Sequence, residues 1–112
     1  MTNTYRKNLL FVCSRNKRRS LSAETIWQDD ERFAVKSAGT SPSARVKISE
    51  KLIAWAEVIF VMEKRHRDII RQQFPEALRQ KDIRVLNIPD DYEYMQPELV
   101  VLLEERVYEM LL

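Results

Sequence analysis

Leu9-Leu10-Phe11-Val12-Cys13-Ser14-Arg15-Asn16-Lys17-Arg18-Arg19-Ser20 is the stretch on which the fold turns. Four apolar residues with polar ends have the length and pattern of a strand buried on both faces. From Ser20 onward Leu21, Ala23, Ile26 and Trp27 recur near helical spacing. Between strand and helix lies a loop that holds the chain's single cysteine beside four basic side chains. A loop of this kind can turn its backbone N–H groups around an anion, backed by the positive end of the helix dipole. A cysteine in such a place has its thiolate stabilised. Arg19, six residues further on, brings a planar fork suited to oxyanions. Nucleophile, anion cradle and guanidinium together describe displacement at phosphorus. A lone cysteine after a strand is more often an inert core residue, and a basic run more often a solvated face. Position between strand and helix favours the chemical reading.

Strand and helix continue to alternate along the chain. Residues 33–35 form a second strand ended by Ser37-Ala38-Gly39-Thr40, and residues 41–47 are loop. Ser49 is an N-cap that opens a helix with Leu52, Ile53, Trp55 and Ala56 as its apolar residues. Residues 58–62, five apolar positions in a row, are the strongest strand. Residues 65–74 are helical and stop at Pro75, residues 83–88 are a fourth strand, and Pro97 opens a last helix that runs to Leu112. Four alternations predict an α/β fold: a three-layer, four-stranded parallel sheet with helices on both faces, as one domain over residues 1–112. Ligands of such sheets bind beyond the carboxyl ends of the strands. Cys13 follows the first strand, Gly39 the second and Asp90 the fourth, all on one rim.

The composition bounds the partners. The 112 residues carry 19 basic and 17 acidic side chains, a net charge of +2 too mild to argue for nucleic acid or a membrane surface. No apolar run approaches the roughly eighteen residues a membrane span needs. The first eight residues lack the apolar run of a secretory signal. One cysteine cannot form an internal disulfide, and with a single histidine it cannot build a zinc site. The expectation is a cytoplasmic protein without metal or cofactor.

Cysteine, five residues, then Arg-Ser close to the N-terminus resembles the signature of the low-molecular-weight protein tyrosine phosphatase family. Asn16 falls at the family's loop asparagine, and Ala23-Glu24 is similar to the helix that follows it. Ser37-Ala38-Gly39-Thr40, Ala56-Glu57-Val58-Ile59 with Met62 and His66, and Pro89-Asp90-Asp91-Tyr92 resemble later family segments in order. The resemblance implies the strand order 2-1-3-4 and a cysteine-dependent phosphatase. It makes Cys13 the nucleophile, Arg19 the clamp on the phosphoryl oxygens and Asp90 the general acid, then base. Ser14, Arg15, Asn16, Lys17, Arg18 and Ser20 would bind the phosphate, with the Ser20 hydroxyl donating to the thiolate and Asn16 left-handed. Tyr92 would wall an aryl cleft. A phosphotyrosyl protein or small aryl phosphate is the implied substrate, with phosphate, sulfate or vanadate as inhibitors.

Three departures stand out. Arg15 replaces the family's glycine, Arg18 replaces its second cysteine, and Asp91 replaces the proline after the acid, which leaves Asp90 and Asp91 both open for that role. Residues 41–47 contain no aromatic. Arsenate reductases of this fold relay a disulfide through further cysteines, which this chain lacks. A non-catalytic phosphate-, phosphoprotein- or nucleic-acid-binding module is the alternative, although binding alone needs neither Cys13 nor the distant aspartate. Of the remaining residues, His66 is expected on a helix surface and Trp27 and Trp55 in the core. Lys64, Arg65 and Arg67 are expected as solvated charges at the rim.

Overall fold

In the computed structural model, which describes residues 5–111, four strands and four helices alternate. They are β1 (Lys7–Cys13), α1 (Arg19–Trp27), β2 (Phe33–Gly39), α2 (Glu50–Trp55), β3 (Val58–Val61), α3 (Lys64–Gln73), β4 (Asp82–Val85) and α4 (Pro97–Leu111). The sheet is parallel throughout, in the order β2-β1-β3-β4. Residues 1–4 and Leu112 lie outside the described residues, and with them the expectations that rest on the first four residues and on a last helix reaching Leu112.

Side-chain alternation along β1 divides the core in two. Leu9, Phe11 and Cys13 face a layer made with Trp27 of α1 and Leu99, Leu103 and Val107 of α4. Leu10 and Val12 face Ile53 of α2 and Ile70 of α3. Phe11 is the centre of the first layer, stacked on Trp27 at 5.6 Å and on Phe60 at 5.3 Å between ring centroids. Trp27 is buried as expected, and its indole donates to the Tyr108 hydroxyl. Trp55 is only half-buried, with the Lys36 ammonium 4.6 Å from its ring centroid.

The strands differ from the sequence reading at their ends. β2 runs on to Gly39, in register with Cys13, which carries the pairing to the edge of the loop. β4 ends earlier than the apolar pattern suggests because Asn87 adopts a left-handed φ of 57° and turns the chain. Leu86 and Ile88 still donate to the Val61 and Met62 carbonyls, so the segment stays pinned to β3 as it leads to Asp90. The N-cap role of Ser49 holds: its hydroxyl accepts from the Leu52 N–H at 3.2 Å.

Candidate active site

The loop between β1 and α1 is shaped by where its carbonyls go. The Cys13 and Ser14 carbonyls accept from the Thr40 and Ser41 N–H groups, and the Arg15 carbonyl accepts from the Arg45 N–H. The Asn16 carbonyl accepts from Arg45 Nε at 3.2 Å. All described peptides are trans, so each carbonyl that turns out toward residues 40–45 turns the next N–H the opposite way, into the loop. Asn16 makes the required bend with a φ of 59°. Arg18 caps α1 without a side-chain bond, which leaves the first N–H groups of the helix facing the same space. The result is a ring of backbone donors open at its centre, an anion site by geometry.

Gly39 makes the ring possible. A Cβ at this position would run into the Ser14 carbonyl oxygen and lie 2.7 Å from the Ala44 Cβ. The chain's one glycine is where the loop backbone passes directly over β2.

Cys13 Sγ lies on the floor, with the residue only 3% exposed. It receives the Asn16 N–H at 3.3 Å and sits 2.9 Å from Ser20 Oγ. The Asn16 side-chain amide donates to Ser20 Oγ at 2.8 Å, which leaves the one hydroxyl proton to the sulfur at 2.9 Å or the Ala38 carbonyl at 3.4 Å, and a thiolate draws it to the nearer acceptor. Both contacts to sulfur are therefore bonds that a thiolate accepts. Among the described residues the Asn16 side-chain carbonyl is buried without a partner, a cost of holding the amide in this orientation.

Arg19 is 2% exposed, a charge taken into the protein and held there through one of its terminal nitrogens. Its Nη1 donates to Glu63 Oε1 at 2.5 Å and to the Ile88 carbonyl at 2.8 Å. The Nε–Nη2 edge is left for an oxyanion, with Asp90 Oδ1 3.8 Å from Nε. Burial works to raise the Glu63 carboxyl, but its bonds with Arg19 and Arg65 outweigh that and hold it below its ordinary value.

His66 corrects the sequence reading: it is fully buried rather than on the surface. Its Nδ1 accepts the Glu63 N–H at 3.0 Å, so the Nε2 proton goes to Ser14 Oγ at 2.9 Å. Burial, then the nearby Arg19 and Arg65 charges, push its pKa from 6.5 down to about 4, against the weaker pull of Glu63 and Asp90. A neutral histidine thus fastens α3 to the loop. Glu63 and His66 together escape a sequence reading because their role depends on α3 starting beside the loop; only the adjacency of Glu63 to the β3 terminus hints at it.

A pocket of about 400 Å³ opens above Cys13, lined by Ser14, Arg15, Lys17, Arg18, Arg19, Arg65 and Asp90. Asn16 and Ser20 lie beneath it, fully buried. Asp90 shares the pocket with Cys13, whereas Asp91 is exposed and outside its lining. Tyr92 is also outside it: the ring packs on the core layer of α1 and α4 and borders a separate shallow groove with Pro97, Val101 and Leu102.

No family model and no curated protein sequence matches the chain. Solved structures do match. The tyrosine phosphatase Wzb from Escherichia coli, in complex with phosphate, superposes with a TM-score of 0.74 at 20% identity, covering 95% of this chain and 96% of that one. A low-molecular-weight phosphotyrosine phosphatase from Vibrio cholerae gives 0.74 at 19% identity, covering 94% of each. The arginine phosphatase YwlE from Geobacillus stearothermophilus gives 0.68 at 23% identity, covering 94% and 92%. The fold is that of the low-molecular-weight phosphatases. The strand order expected from the resemblance is the one observed. No helix among the described residues is long and apolar enough to cross a membrane.

Proposed function

We propose that the protein hydrolyses phosphate monoesters through a cysteinyl-phosphate intermediate, by the tyrosine-phosphatase type of mechanism. The observation that carries this reading is the shared pocket: Cys13 Sγ on its floor with two donors, the free edge of Arg19 beside it, and Asp90 at its wall. The phosphoryl oxygens would take the inward N–H groups of the loop and the Nε–Nη2 edge of Arg19. The Cys13 thiolate attacks phosphorus, an S–P bond forms, and the ester P–O bond breaks as Asp90 gives its proton to the departing oxygen. Water then attacks phosphorus, the Asp90 carboxylate takes its proton, and the S–P bond breaks to return inorganic phosphate and the thiolate. Ser20 and Asn16 hold the sulfur for both steps. A binding module has no use for a thiolate on the floor of its anion site, and the aspartate at the wall would repel its ligand.

Two finer points belong to the same reading. The mechanism needs its one cysteine as a free thiol, which a reducing compartment such as the cytoplasm maintains. Phosphate, sulfate and vanadate fit the donor ring and act as competitive inhibitors. Turnover of p-nitrophenyl phosphate at mildly acidic pH, lost in Cys13→Ser, tests the reading; no turnover by the intact protein sends it to the binding module.

A further inference from the structure

We propose that the substrate is a small phosphomonoester carrying a second anionic group, in the simplest case a sugar or polyol bisphosphate; this rests on the phosphatase reading above. Five cationic side chains line the pocket, Arg15, Lys17, Arg18, Arg19 and Arg65, against the single carboxylate of Asp90. The transferred phosphoryl group engages only Arg19 and the backbone ring. Arg65 is committed to Glu63 at 3.0 Å, and Arg18 stands 3.6 Å from Glu93. Arg15 and Lys17 are exposed, and among the described residues their side chains have neither an ion pair nor a hydrogen bond. Two unneutralised cations therefore flank the place where the rest of the substrate must sit.

The opposite requirement, an apolar or aromatic wall for a phenyl ring, is not met in this pocket. Among the described residues no aromatic side chain lines it, and Tyr92 is turned to the groove beside Val101 and Leu102. A ring placed over Arg15 or Lys17 gains a few-fold in affinity at an exposed site. A second phosphate between them gains about tenfold or more through charge-assisted bonds. The volume of about 400 Å³ is that of a small-molecule site, and the free cations border the same cavity as Cys13 rather than a strip leading away from it, as an acidic phosphopeptide would use. The ester oxygen of such a substrate is a poor leaving group as a bare alkoxide, so the proton from Asp90 that lets it depart as an alcohol is indispensable.

The test compares kcat/KM for fructose bisphosphate, fructose monophosphate, p-nitrophenyl phosphate and an acidic phosphotyrosyl peptide. Wild-type protein and the Arg15→Gln/Lys17→Gln double variant are measured at low and high salt. The expected result is a preference of about tenfold or more for bisphosphate over monophosphate. That ratio should collapse toward unity in the double variant and shrink as salt is raised. Equal kcat/KM for the two sugars, or a peptide that outruns the bisphosphate, overturns the proposal while the phosphatase reading stands. No turnover of p-nitrophenyl phosphate overturns the reaction itself, and the substrate with it.

Discussion

The floor and the rim of the pocket are built in different ways. At the floor the carbonyls of Cys13, Ser14, Arg15 and Asn16 are all bonded to residues 40–45, and Asn16, Arg19, Ser20 and His66 are buried with little or no exposure. At the rim Arg15, Lys17, Arg18 and Asp90 are exposed, and the ion pairs they make are long. Under the proposed reaction the floor would handle what every phosphate monoester shares, three equatorial oxygens and a phosphorus, and a backbone ring can be rigid because that target never varies. The rim meets the part of the substrate that differs, with side chains that a single substitution can change. Chemistry is fixed below and selection is set above.

The contrast predicts a graded series of effects. Cys13→Ser should lower kcat by at least about 10⁴-fold while phosphate still binds, since the ring is backbone and only the thiolate attacks; steady-state rates and phosphate calorimetry together check this. Asp90→Asn should lower kcat/KM, which reports the transfer to Cys13, by about 10²–10⁴-fold for phenyl phosphate and much less for activated aryl phosphates, with Asp91→Asn nearly silent. The dependence of kcat/KM on leaving-group pKa for both variants decides it, and a steeper dependence in Asp91→Asn alone would move the acid by one residue.

Gly39→Ala tests the floor without touching a reacting group. Its Cβ meets backbone on one side and Ala44 on the other, so urea unfolding should show a loss of about 1–3 kcal/mol. Last comes His66. Between its ordinary pKa of 6.5 and its native value of about 4, the unfolded chain takes up a proton that the folded protein refuses. Stability should therefore fall as pH drops through that window, by at most about 1.4 kcal/mol per pH unit, and this group should have no effect above it. The depressed Glu63 adds its own loss only below its ordinary value of 4.5. Urea melts across this range for wild type and His66→Gln isolate the histidine, because the difference between the two curves should change only as pH falls from 6.5 toward 4.

Much of this was legible in the residues. The apolar run at residues 9–12 and the alternations after it gave the parallel sheet, because strands buried on both faces need no partner to be recognised. Cys13, Gly39 and Asp90 stand out because strand ends of a parallel sheet share one rim, and Arg19 because it closes the loop six residues after the cysteine. His66 was hidden: a lone histidine in a polar helix looks solvated until α3 is seen against the loop, where Ser14 and the Glu63 N–H claim both ring nitrogens. The family resemblance puts Tyr92 at the wall of the cleft. Its ring is instead drawn onto the apolar layer beneath α4. Gly39 could be read as a strand end, but its need for an absent Cβ comes from a loop some 25 residues earlier in the chain and is visible only in three dimensions.

The central claim is covalent: phosphorus passes through Cys13. Asp90→Asn should still transfer the phosphoryl group from p-nitrophenyl phosphate, whose leaving group departs without a proton, but lacks the base that activates water. Acid-quenched mass spectrometry of that variant during turnover should find a phosphoryl group on the peptide that contains Cys13, absent when Cys13→Ala is added. Release of p-nitrophenol with no phosphoryl group on that peptide, or undiminished release in the double variant, would contradict the account.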